Sequence, residues 1–207
     1  LMQGVVGQFV KEDVAIDVFK TGRGRPWGEH HECCFCGTER FFRPAYAGHL
    51  LDEWIPAMTG VEEKLKMGAK VADIGCGLGT SSMLMAEQYP NSTIHAFDFH
   101  EPSIEEAKKR AEEKGLSNLE FFVSDAAAIP NESYDLACIF DAWHDMGDPV
   151  GIAKSIRETL ADDGTFMVVE PMALDGLKNN IDNNPGASMF YGFGTLICVP
   201  ALSLIHI

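Results

Sequence analysis

Three glycines set two apart, Gly75, Gly77 and Gly79, follow the short apolar run Val71, Ala72, Asp73, Ile74 and lead into Thr80, Ser81 and Ser82. A strand that turns through glycines into a helix start lets the backbone lie against a ligand and aims the first helical N–H groups at it. Spacing decides which ligand. A dinucleotide site wants G-x-G-x-x-G/A, so that the helix N-terminus receives a pyrophosphate; here Thr80 takes the third small position and the last glycine comes one residue early. Asp73 would also repel a pyrophosphate. The pattern suits a cationic ligand with a nucleoside half and no phosphate.

Further acids stand where other strands should end. Asp98 closes the β-branched and aromatic run 92–99 about 20 residues beyond the glycines, the separation at which a carboxylate accepts ribose hydroxyls. The alternative is a cap on the helix opening at Glu101, Pro102 and Ser103. Phe99 would flank a base. Asp125 follows the run Leu119 to Val123, between Ser124 and Ala126. Asp141 follows Phe140 and opens the least generic segment of the chain, Asp141-Ala142-Trp143-His144-Asp145. His144 is the side chain there that titrates near neutral pH and is the candidate general base; the alternative is that it only orders its loop.

Asp73-x-Gly75-x-Gly77-x-Gly79-Thr80 resembles the first motif of the class I S-adenosylmethionine-dependent methyltransferases. The resemblance implies S-adenosyl-L-methionine as cofactor, held by Asp73, Gly75, Cys76, Gly77, Gly79, Thr80, Asp98, Phe99, Ser124, Asp125, Ala126, Phe140 and Asp141. In it Asp125 takes the adenine amine and the Ala126 N–H a ring nitrogen, against the alternative of a plain loop carboxylate. The segments 37–44, 53–56 and 140–149 further resemble a subgroup carrying an N-terminal winged-helix dimerisation domain. That implies residues 1–60 as a remnant of the helical domain and linker, 61–200 as the cofactor-binding domain, and 201–207 as a truncated or non-native tail. It also implies a homodimer through the part of that domain preceding Leu1, and no metal. Methyl transfer to a small-molecule acceptor is the function so implied. A non-catalytic cofactor-binding regulator or an inactive fragment is the first alternative, and an NAD(P)-dependent oxidoreductase, disfavoured by Thr80 and Asp73, the second.

These residues need a scaffold that brings strand ends together. Strands at 71–74, 92–99, 119–123, 134–140 and 165–170 alternate with helices opening at Thr80, over 104–114 and over 149–160, the last stopped by Asp162-Asp163-Gly164. Such alternation predicts an α/β parallel sheet flanked by helices, with ligands outside the carboxyl ends of the strands, and the resemblance implies that it is Rossmann-like with the order 3-2-1-4-5. The terminal antiparallel hairpin of the seven-stranded methyltransferase sheet has no counterpart in the sequence. A helix or turn is expected over 187–200.

At 207 residues the chain can bury a proper core. Its net charge of −15, from 31 acids against 16 bases, argues against a nucleic-acid partner, which needs clustered cations. Lys108, Lys109 and Arg110 read as helix-face partners of Glu105, Glu106, Glu112 and Glu113. No membrane-length apolar run and no secretory leader is visible, so the expected compartment is the cytoplasm. His30, His31, Cys33, Cys34 and Cys36 crowd seven residues without zinc-site spacing and read as a redox-sensitive loop or an adventitious metal binder. Trp27, His30, His31 and Tyr46 are candidates to wall the acceptor pocket.

Overall fold

The computed structural model describes residues 2–206, and their side chains through residue 202. The side chains of 203–207, where the sequence reads as an apolar tail, lie outside the described residues. Five strands form one parallel sheet: β1 (Lys70–Ile74), β2 (Thr93–Asp98), β3 (Leu119–Val123), β4 (Tyr134–Phe140) and β5 (Leu160–Val169), in the order β3-β2-β1-β4-β5. The predicted order is the observed one. β1 and β4 lie inside the sheet with both faces covered, so apart from Lys70, Asp73 and Asp135 their residues are apolar without alternation. Alternate residues feed two cores. Val71, Leu136, Cys138 and Phe140 pack on one side of the sheet, and Ala72, Ile74, Ala137 and Ile139 on the other.

Helices α1 (Met2–Val10), α2 (Glu12–Thr21), α3 (Glu32–Ala45) and α4 (Val61–Met67) precede the sheet, and among the described residues no strand does. Gly37 of α3 sits against α1 so closely that a Cβ would meet the Gly4 nitrogen at 2.3 Å. Near its end α3 contains Pro44, which has no N–H to donate and crowds the turn before it. The chain then widens into a π-helix over Tyr46–Trp54, with the Ile55 N–H reaching the Leu50 carbonyl at 3.0 Å. Leu50 and Ile55 are wholly buried, in the same core as Val61, Leu65 and Met85. The core therefore runs unbroken across residue 60, where the sequence suggests a boundary.

Within the sheet, α5 (Thr80–Gln88) links β1 to β2 and α6 (Glu101–Lys114) links β2 to β3, both on the first core. On α6, Arg110 pairs with Glu106 at 2.9 Å, one of the helix-face pairs expected from its charges. Between β3 and β4 stands only a 3-10 turn, Ala126–Ala128, and α7 (Pro149–Thr159) covers the second core with Ile152 and Ile156. Asp148 caps α7 by accepting from the Gly151 N–H at 2.9 Å. β5 is longer than expected. Asp162, Asp163 and Gly164, read as a helix stop, lie inside an irregular stretch of strand where a Cβ on Gly164 would meet the Tyr134 carbonyl oxygen at 2.6 Å. Helices α8 (Leu177–Asn183), α9 (Ala187–Leu196) and α10 (Cys198–His206) follow, and the described residues hold no sixth strand. The Arg25 N–H donates to the Pro200 carbonyl at 2.8 Å, joining the segment before α3 to α10. Among the described residues no helix is long and apolar enough to cross a membrane.

The α1–α3 crossing predicts that Gly37→Ala destabilises the fold by about 1–3 kcal/mol, because the obstruction is backbone and cannot swing aside. Urea unfolding of the variant beside the parent chain measures this. An unchanged midpoint would mean that the two helices do not pack as described.

Candidate functional site

Each glycine of the turn has a positive φ: 73° at Gly75, 52° at Gly77 and 76° at Gly79. The reasons for glycine differ along it. A Cβ at Gly79 would lie 2.7 Å from the Phe121 ring, and one at Gly75 would lie 2.9 Å from the Ala142 Cβ; at Gly77 it would meet nothing within 4 Å. Two of the glycines are thus packing necessities, and the middle one faces open space where a ligand can lie against the backbone. The turn is strapped to β2 by the Gly75 and Cys76 N–H groups, both donating to the Phe97 carbonyl, at 2.8 and 3.0 Å.

Asp73 is 1 % exposed. Its Oδ2 accepts from the Ser81 and Ser82 hydroxyls at 2.7 and 2.6 Å, while its Oδ1 is buried without a partner in the protein. Burial pushes this carboxyl up to about 6 against the opposing effect of the serine hydroxyls. An orphaned carboxylate oxygen beside a glycine turn is a ready partner for a ligand cation. Asp98 accepts from the Gly77 N–H through Oδ2 and from the His100 N–H through Oδ1, each at 2.8 Å, so it both shapes the loop and starts α6. Its remaining lone pairs stay free for ligand hydroxyls, and burial raises its pKa.

The other expected contacts lie at or near the ends of β1, β2 and β3 and do not line the cavity described below. Phe99 is 62 % exposed at the end of β2. Ser124 and Asp125 stand at the end of β3, where the Ser124 N–H donates to the Asp98 carbonyl at 3.0 Å; the Asp125 carboxylate caps the turn at Ala126 by accepting from the Ala127 N–H at 2.8 Å. Cys76 is buried beneath the loop. Thr80 donates its hydroxyl to Glu39 at 3.0 Å, and Glu39, from α3, also lies 3.7 Å from Arg110. Sequence reasoning passed over Glu39; nothing in its local pattern marks a residue that crosses to the cofactor loop.

At the end of β4, Phe140 packs against Tyr46 and Trp54 of the π-helix. Asp141 has φ 53°, with its N–H donating to the Val169 carbonyl at 2.8 Å. Burial pushes its carboxyl up to about 8. Beyond it opens a cavity of about 520 Å³, walled by Trp27, Phe41, Phe42, Phe190 and Phe193 and carrying Asp141, His144, Asp145, Glu170 and Cys198 as its polar side. His144 Nδ1 is hydrogen-bonded to Glu170 Oε2 and its Nε2 lies 3.7 Å from Cys198 Sγ. Hydrogen bonds to Cys198 and Glu170 push its pKa up, and the Glu170 carboxylate is the partner that can favour the protonated ring over the neutral base that its residue type suggested, since burial keeps the Cys198 thiol protonated. Glu170 holds the whole segment, since its Oε1 accepts from the Ala142 and Trp143 N–H groups at 3.1 and 2.7 Å.

Of the aromatic and histidine residues proposed as pocket walls, Trp27 lines the cavity. His30 is instead buried beside Gln8, and His31 caps α3 by accepting from the Cys33 N–H at 3.1 Å. Glu170 was findable: the strand-end rule that singles out Asp73, Asp98, Asp125 and Asp141 applies equally to the acid that follows β5. Cys198 was not, because only the packing of α10 on the turn at Trp143–Asp145 brings it to His144.

A parallel 3-2-1-4-5 sheet with a glycine turn after β1 and acids at consecutive strand ends defines a Rossmann-like nucleoside-binding protein. Residues 65–198 match the family described as "Methyltransferase domain", and the chain belongs to it. Over 172 residues it is 28 % identical to the sterol 24-C-methyltransferase erg6 of Aspergillus fumigatus, covering 81 % of this chain and 42 % of that protein. Over 105 residues it is 34 % identical to the ubiquinone biosynthesis O-methyltransferase of Actinobacillus pleuropneumoniae, covering 48 % of this chain and 44 % of the relative. The chain thus spans less than half the length of these relatives. In fold it is similar to the YcgJ protein of Bacillus subtilis, with a TM-score of 0.50 and 24 % identity over 61 % of this chain and 50 % of that one.

Asp73 predicts a pH signature. Its folded pKa lies above the unfolded value, so the native state holds the proton longer than the unfolded state, and stability falls as pH rises from about 4 through about 6. In Asp73→Asn this component disappears. Chemical denaturation of both proteins between those pH values would show the parent losing stability relative to the variant, and parallel profiles would contradict the burial of a titrating Asp73.

Proposed function

We propose that this chain binds S-adenosyl-L-methionine and transfers its methyl group to a small molecule held in the aromatic-walled cavity. The observation that carries the reading is the orphaned Oδ1 of Asp73, a buried carboxylate oxygen beside a glycine turn that leaves open space at Gly77. That chemistry suits the cofactor's ammonium and has no use for a pyrophosphate. Asp98 would take the ribose hydroxyls, Phe99 would cover the adenine, and Asp125 with the Ala126 N–H would read its edge. Cys76, Phe140 and Asp141 would complete the pocket from the β1 and β4 ends, and the Thr80–Glu39 bond would hold α3 over the loop.

When bound, the cofactor supplies a methyl carbon already activated by its sulfonium, so transfer is an in-line displacement. Catalysis then rests on holding the acceptor near 3–3.5 Å from that carbon in a dry pocket. Here Trp27, Phe41, Phe42, Phe190 and Phe193 exclude water and place an apolar acceptor body, while His144, Asp145 and Glu170 orient its polar end. Names of the relatives support a small acceptor: one is a sterol methyltransferase and another a ubiquinone biosynthesis methyltransferase. The acidic surface, with 31 acids against 16 bases, supports the same reading over a nucleic acid. We assign the protein to the cytoplasm, and residues 1–60 to the helical part of a winged-helix dimerisation domain and its linker.

Calorimetry with S-adenosylhomocysteine tests the cofactor reading. Binding is expected with the parent chain and is weakened at least about tenfold in Asp73→Asn and in Asp98→Ala, as for loss of a charge-assisted contact of about 1.5–3 kcal/mol. Affinity should fall as pH drops through about 6 and Asp73 takes up a proton, a dependence absent from Asp73→Asn. Binding of NAD in place of the homocysteine product would overturn the assignment. Transfer of label from methyl-tritiated cofactor into a metabolite extract tests turnover; binding without transfer would favour a regulatory role.

A further inference from the structure

The polar side of the cavity, which the reading above uses to orient an acceptor, is also a set of metal-ligating side chains. His144 Nε2 lies 3.6 Å from Asp145 Oδ2 and 3.7 Å from Cys198 Sγ, and the ligand atoms of these three residues all lie within 4.8 Å of one another. A tetrahedral zinc ion with bonds of about 2.0–2.1 Å to nitrogen and oxygen and about 2.3 Å to sulfur separates its ligands by roughly 3.4–3.6 Å. The two separations from His144 Nε2, 3.6 and 3.7 Å, are close to the edges of such a tetrahedron, and the third pair lies within 4.8 Å.

Two further observations point to an ion. First, His144 is oriented as a metal ligand is: its Nδ1 is bonded to Glu170, which is itself anchored on the Ala142 and Trp143 N–H groups, leaving Nε2 facing Asp145 and Cys198. A carboxylate behind the histidine fixes both tautomer and ring plane and raises the basicity of the free nitrogen. Second, Asp145 Oδ1 is buried with no partner in the protein. Because Glu170 occupies Nδ1, the alternative grouping of Asp141, His144 and Glu170 offers an ion no free imidazole nitrogen.

We infer that His144 Nε2, Cys198 Sγ and an Asp145 carboxylate oxygen bind a divalent transition-metal ion, zinc by their mixed nitrogen, sulfur and oxygen chemistry, with the fourth position open to the aromatic cavity. Three protein ligands and one open place are the arrangement of zinc sites that act on a substrate. Binding displaces the thiol proton of Cys198 and any proton on Nε2 to solvent. The site's role in turnover rests on the methyl-transfer reading above. An acceptor thiol or hydroxyl at the open position releases its proton to solvent, and its lone pair then attacks the sulfonium methyl. The carbon–sulfur bond breaks with its electron pair left on the cofactor sulfur, and the methylated acceptor leaves the ion.

Cobalt(II) titration of the full 207-residue chain, after treatment with a chelator, tests the inference. One equivalent is expected to bind, with the visible bands of tetrahedral cobalt and a near-ultraviolet thiolate-to-cobalt band. Cys198→Ser should abolish the thiolate band, His144→Ala should abolish tight binding, and Glu170→Gln should weaken affinity about 10–100-fold. Cys33→Ser and Cys36→Ser should leave the spectrum unchanged, and benzenethiol should shift it by filling the open position. Absence of stoichiometric binding overturns the inference. So do bands that survive Cys198→Ser and vanish in Cys33→Ser or Cys36→Ser, which would place the ion in the 30–36 segment. Calorimetry with S-adenosylhomocysteine on the same samples separates the two readings: product binding without cobalt binding sinks the metal site alone, and cobalt binding without product binding sinks the cofactor reading alone.

Discussion

The grip of Ser81 and Ser82 on the Asp73 carboxylate is the interaction on which the rest of the site depends. It joins the end of β1 to the first turn of α5 across the glycines, so the loop between them has few ways to lie. A hydroxyl pair satisfies one oxygen and leaves the other for something outside the protein. Were both oxygens paired internally, the loop would be equally rigid and no acceptor would be left over beside the glycines. Asp98 repeats the arrangement one strand over, with backbone N–H groups in place of hydroxyls. The two acids divide the task differently, Asp73 through one oxygen alone and Asp98 through both, and each fixes the turn from its own strand end.

The helices ahead of the sheet complete what the strands begin. Pro44 changes the helical register, and the π-helix that follows delivers Tyr46 and Trp54 to Phe140 while burying Leu50 and Ile55 in the sheet's own core. One helix earlier, Glu39 reaches Thr80 at the start of α5. Segments distant in sequence therefore pack into one frame with the glycine turn. A displacement of α3 would be felt both at the loop, through Glu39, and at the cavity, through Phe41 and Phe42.

The parallel sheet was legible because each strand is short, apolar and followed by its own helix start or turn, and because a glycine turn after β1 has few structural meanings. Strand-end acids were legible for the same reason: topology alone carries them to one edge. What escaped was whatever depends on tertiary reach. Cys198 meets His144 only because α10 packs on the turn after β4, and Glu39 meets Thr80 only because α3 crosses the loop. The raised pKa of His144 escaped too, since residue type gives only an intrinsic value and the Glu170 carboxylate that shifts it comes from the next strand's end. Gly164 misled in a simpler way. A glycine after two aspartates reads as a helix stop, but here it admits the Tyr134 carbonyl within an irregular strand.

The backbone of Asp141 carries a different consequence. A side chain bearing a Cβ in the left-handed region costs of order 1 kcal/mol or more, which the surrounding packing must offset. Asparagine or glycine would sit there more comfortably, and either would give up the carboxylate that faces the cavity. The position therefore marks a place where stability and chemistry pull in opposite directions. Glycine at residue 141 would relieve the backbone and remove a carboxylate from the cavity wall, so folding energy and the polarity of the cavity are traded against each other at this one position.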